Sequence, residues 1–81
     1  MKFESAKAEN RGVAAINILL NGEVREIPRE TSLDQLLELF SLPQQRIAVE
    51  VNDSVIRRDD WHGLTIADGD KIEIVHFVGG G

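Results

Sequence analysis

Cysteine is missing from all 81 residues. That removes disulfides, thiolate metal sites and cysteine nucleophiles together. No apolar run reaches the length of a membrane span, so none is expected. The first residues, MKFESAKAENRGVAA, contain no apolar stretch of the kind a secretory signal needs. A cytoplasmic protein is therefore expected. Basic residues are the minority, 9 against 14 acidic, for a formal net charge of −5. Such a chain is a poor electrostatic match for nucleic acid or anionic lipid and suits a partner with a basic face. Size sets a further bound. A chain this short makes one domain with a thin core and leaves no room for a large enzyme pocket. Proline occurs only twice, at Pro28 and Pro43, and both positions punctuate the pattern that follows.

Residues 1–15 are small, polar and mixed in charge, and read as a flexible N-terminal extension. From Ile16 the pattern sharpens. Ile16, Ile18 and Leu20 alternate with Asn17 and Leu19, which predicts a strand. Asn21-Gly22 is a strong hairpin signal, because both residues tolerate the positive φ of a type I′ turn. The return strand is EVREI, with imperfect alternation since Val24 and Ile27 differ in parity. Pro28 ends it by lacking a ladder donor.

Ser32 and Gln35 have the spacing of a capping box. Leu33, Leu36, Leu37 and Phe40 then form one apolar stripe, predicting a helix of about two and a half turns that Pro43 stops. Ile47, Val49 and Val51 mark a third strand, Asn52-Asp53-Ser54 a turn, and Val55-Ile56 a short strand. Asp59, Asp60 and Trp61 read as a helical turn, Asp68-Gly69-Asp70 as another turn, and KIEIVHF at 71–77 as the last strand. A hairpin, one helix and a mixed sheet make an α+β chain of β-grasp pattern, with the helix stripe packed on one sheet face. The domain is expected over 16–78 and a glycine tail over 79–81.

Several side chains invite a chemical role. His62 and His76 fall short of the three or four ligands that zinc takes, so no metal site is expected. Asp59 and Asp60 are adjacent and do not share a face, and a charge effect at a helix start accounts for them better than acid–base work. Trp61 reads as a core anchor. In the last strand, Ile72 and Ile74 share one parity and Val75 and Phe77 the other. One covering helix leaves the second face open, which makes Val75 and Phe77, together with the adjoining Val78, a candidate partner-docking patch.

The chain closes on HFVGGG. Glycine loses the most conformational freedom on ordering, so three of them make poor fixed structure. They make a good thread for a narrow channel, because no Cβ obstructs passage. The pieces ILLNGEVREIP, TSLDQLLELF, IAVEVNDSVIRRDDW and LTIADGDKIEIVHFVGGG resemble the thiamine-pathway sulfur carrier family, which is ubiquitin-like. The resemblance covers about residues 16–81. The N-terminal extension is its main departure, since typical members begin almost at the first strand.

The resemblance implies a β-grasp fold and a chain that is a carrier rather than an enzyme. It implies that Gly81 is the group modified, first as an acyl-adenylate and then as a thiocarboxylate, with Gly79 and Gly80 threading the tail. No cofactor is bound in this scheme, and ATP is used by the partner. The implied partners are a ubiquitin-activating-like adenylyltransferase, a sulfur donor protein and thiazole synthase. Three alternatives share the fold: a small subunit of molybdopterin synthase, a protein modifier, and a non-covalent binding module with an inert end.

Overall fold

The computed structural model describes residues 14–77. The expected extension, apart from Ala14 and Ala15, lies outside them, as do Val78 and the three terminal glycines. The elements are β1 (Ala15–Leu20), β2 (Glu23–Pro28), α1 (Leu33–Leu39), β3 (Ile47–Val51), β4 (Ser54–Ile56), a 3-10 turn (Arg58–Asp60) and β5 (Lys71–His76).

The hairpin forms where Asn21-Gly22 predicts it, with φ of 50° and 84° at the two residues. Leu20 opposite Glu23 closes its first rung. A second two-residue loop, Asn52-Asp53, also has both φ positive and joins β3 to β4. The capping box is present in both halves: the Gln35 N–H donates to Ser32 Oγ, and the Ser32 N–H donates to Gln35 Oε1. The helix is shorter than the stripe suggested. Phe40 is its C-cap and packs against the core from a partly buried position. Ser41 follows at a φ of 56°, which takes the chain out of the helix before Pro43 is reached.

Five strands form one sheet in the order β2-β1-β5-β3-β4. The last strand is central. It runs parallel to β1 and antiparallel to β3. Ile16, Ile18 and Leu20 of β1, Ile47, Val49 and Val51 of β3, and Ile72 and Ile74 of β5 all face the helix and are buried. Leu33, Leu36 and Leu37 meet them at zero exposure, with Ile27, Ile66 and Trp61 closing the core. The Trp61 indole N–H donates to the Ile56 carbonyl at 3.0 Å, and the Arg58 guanidinium lies 4.4 Å from its ring centroid. A buried indole thus keeps its one polar group satisfied.

The loop before β5 fastens the helix start to the sheet. Leu33 N–H donates to Leu64 O and Ile66 N–H to Thr31 O, both at 2.9 Å. Thr31, the buried polar residue of the core, donates its hydroxyl to Pro28 O at 2.6 Å. Asp70 organises the turn into β5 by accepting from Ala67 N–H and from the Asn52 amide.

Candidate functional site

Everything that positions the glycine run passes through β5. Because this strand is central, paired with β1 at its start and with β3 along its length, the point where β5 ends is set by the sheet. The Phe77 N–H donates to Arg46 O at 2.8 Å, which holds the strand end in place one residue beyond the regular ladder. Gly79, Gly80 and Gly81, the residues expected to carry the chemistry, lie outside the described residues, as does Val78.

Two residues of the expected docking patch are described. Val75 is 52% exposed and Phe77 54% exposed. Both are large apolar side chains at the mouth of the tail. Val75 stands on the sheet face away from the helix and pairs with Ala48 across β3.

That outer face carries more apolar residues than the parity of β5 alone indicated. Leu19 and Val24 oppose each other on β1 and β2, and Val55 stands on β4; all three are exposed. Val24 was the residue that spoiled the alternation of β2. It faces outward while Ile27 faces the core, so the odd parity was the signal of a second apolar face. Between these groups runs a polar band. Glu50 pairs with Glu73, and with Asp53 their carboxylates come within 4.8 Å of one another. Lys71 answers this charge through a 2.8 Å contact with Asp53. The Asp53 carboxylate, first by hydrogen bond and then by charge, raises the pKa of the Lys71 ammonium.

The remaining sequence candidates lie elsewhere. His62 is on the helix side of the molecule, 3.2 Å from Asp34, and His76 is an exposed residue at the end of β5. The two histidines do not share a site. Asp59 and Asp60 occupy the 3-10 turn and border an open groove of about 500 Å³ with Val55, Ile56, Arg57, Gly63 and Leu64. Among the described residues, Asp34 is the carboxylate with a clear shift: the Ser32 hydroxyl donates to it, His62 adds to the effect, and its pKa lies below the usual value of 3.8 despite some desolvation.

The family model for the ThiS family matches residues 18–81. The chain is 38% identical over 63 residues to the sulfur carrier protein ThiS of Bacillus subtilis, covering 76% of this chain and 96% of that one. It is 36% identical over 66 residues to a thiazole synthase of Magnetococcus marinus. This match takes 82% of the chain but spans only a fifth of the relative's length. Among solved structures, the thiamine biosynthesis protein ThiS of Geobacter metallireducens superposes with a TM-score of 0.73 at 29% identity, over 82% of this chain and all of the other. A mixed five-stranded sheet under one helix, left through a central strand and continuing into a glycine run that the same family model takes in, places this chain in the ThiS family.

Proposed function

We propose that this protein is a sulfur carrier of thiamine biosynthesis whose working group is the carboxylate of Gly81. The observation that carries the reading is the extent of the family match, which runs through the sheet and on to Gly81 itself. The structure supports it by making β5, the strand that precedes the glycine run in sequence, the centre of the sheet. In the reaction, a carboxylate oxygen of Gly81 displaces pyrophosphate from ATP in a ubiquitin-activating-like adenylyltransferase. A persulfide on a donor protein displaces AMP from the acyl-adenylate to give an acyl disulfide, and a thiol then attacks the donor's sulfur, forming a disulfide with the donor and releasing the terminal thiocarboxylate. Thiazole synthase then takes the sulfur. No step uses a side chain of this protein, so the chain is a co-substrate and the catalytic groups belong to its partners.

The relatives named thiazole synthase support the last partner, since a segment like this one is part of their longer chains. Val75, Phe77 and Val78 form the docking patch in this reading. The exposed side chains of the first two, beside the tail, supply apolar area where a partner must grip the domain. Gly79 and Gly80 enter the partner's channel.

The test is deletion of Gly81. The shortened tail still ends in a glycine carboxylate, but that group falls short by about 3.3–3.6 Å, one extended residue. A misplacement of even about 1 Å can cost roughly 100-fold in rate. Intact mass after incubation with the adenylyltransferase, ATP and a sulfur donor should show thiocarboxylate on the full chain and almost none on the deletion, with unchanged melting. Modification of the deletion at the full rate, or of an internal side chain, overturns the reading.

A further inference from the structure

The strand that leads to the tail lacks a neighbour along half of one flank. Phe77 donates to Arg46 O across β3, so odd-numbered residues of β5 direct their backbone groups toward β3. Even-numbered residues face the other way. Asn21 N–H donates to Ile72 O at 2.9 Å, and Ile74 N–H donates to the Asn21 side-chain oxygen at 2.8 Å. On that flank β1 supplies only two register pairs, Leu19 with Lys71 and Leu20 with Ile72. The chain then turns away at Asn21-Gly22. The Asn21 side chain stands in for one more residue of strand. Beyond it, the N–H and C=O of His76 point into a lane where no strand of the described residues runs.

Extended backbone is what such a lane accepts, because unpaired strand groups are matched in register by another strand. At the same hairpin end, Leu20, Asn21, Glu23, Arg25, Phe40 and Leu42 line a groove of about 320 Å³.

We propose that Ile74–Phe77 is a strand-addition site, occupied by an extended segment of the adenylyltransferase that receives the tail. The proposal rests on the carrier reading above. Its reason is directional. Gly81 stands four residues past Phe77, a reach of about 13–14 Å when extended. A partner strand paired along 74–77 holds that tail in line with β5, so the carboxylate enters the active site along one path. Residues 1–13 are a poorer occupant. Their attachment at β1 lies several rungs down the sheet from the lane, and crossing on the order of 30 Å consumes most of the segment at about 3.3 Å per residue.

Amide exchange, quenched and read by NMR, tests this on the full chain alone and with the adenylyltransferase of the same organism and ATP. The His76 amide should exchange fast in the free chain and slow by about 100-fold or more in the complex, as backbone pairing requires. His76→Pro removes the His76 N–H aimed into the lane and should weaken binding roughly 10-fold, the worth of one such hydrogen bond. His76→Ala keeps that N–H and should stay within about threefold. A His76 amide that stays fast in a complex still able to adenylate Gly81 overturns the proposal and leaves the carrier reading standing. So does protection already present in the free chain, whether it rises with concentration, as a second copy would cause, or disappears on deleting residues 1–13. Absence of both complex and adenylate overturns the carrier reading and this proposal with it.

Discussion

Asn21 does two jobs that substitution can separate. Its backbone sits at a φ of 50°, where Asn and Gly are at ease and Ala is not. Its side chain accepts the Ile74 N–H at 2.8 Å in a half-buried position, linking residues 53 apart in sequence. Asn21→Gly keeps the turn and deletes the acceptor, leaving a donor in the core strand short of a partner. That loss should cost about 1–2 kcal/mol. Asn21→Ala adds the left-handed backbone penalty of about 1 kcal/mol, for a total near 2–3 kcal/mol. Asn21→Asp retains an acceptor and should stay within about 1 kcal/mol of the parent. Urea melts at constant pH 7 measure all three. Against a stability on the order of 5 kcal/mol for so small a domain, the alanine variant should lose about half of it and melt at a clearly lower urea concentration. If the glycine variant melts with the parent, the side chain does not extend the parallel ladder. If aspartate loses as much as glycine, the acceptor is irrelevant and the reasoning fails.

Leu36 and Leu37 have no exposed surface while Glu38 faces water, so Leu36→Ala should cost roughly 2–5 kcal/mol and Glu38→Ala under about 0.5 kcal/mol in the same melts. Phe77→Ser, at a half-exposed position, should weaken adenylyltransferase binding by about 2 kcal/mol in calorimetric titration while the melting curve stays put. Ser32→Ala should lower stability by about 0.5–2 kcal/mol through loss of the cap. It should also move the Asp34 pKa upward toward 3.8, since the Ser32 hydroxyl is the main cause of its depression. The sign follows from linkage. Because the folded carboxyl titrates below its unfolded value, its contribution is complete above about pH 4 and fades as pH falls through the folded pKa. Carboxyl NMR titration of both proteins checks the shift.

Local features were legible in the chain. Asn21-Gly22 wrote the first hairpin, Ser32 with Gln35 wrote the helix start, and the leucine stripe wrote the covered face, because each depends on residues within a turn of one another. The β-grasp pattern implied a mixed sheet, but neither the strand order nor the register of β5 could be read from a local signal. That register rests on two parallel pairs and the Asn21 side chain, contacts between residues about fifty apart that no local pattern encodes. The early end of α1 was hidden for a different reason. Ser41 takes a positive φ without being glycine or asparagine, so no residue type announced it and Pro43 took the credit. The Asp34–His62 pair, 28 residues apart, was likewise invisible. At the candidate site, Val75 and Phe77 could be read from parity alone. Val24 and Leu19 could have been read the same way had the broken alternation of β2 been taken as two faces rather than as noise.

The middle of this sheet is made last. β1, β2, β3 and β4 are all synthesised before β5, yet β1 and β3 touch the sheet's centre only through it. Until β5 clears the ribosome, the chain is two separate hairpins and a loose helix, none of which is stable alone in water. Closing the domain then takes long-range pairing, whose entropy cost slows folding. A chain lacking β5 therefore lacks the strand that joins its two hairpins, and a partner that recognises the closed sheet discriminates against it.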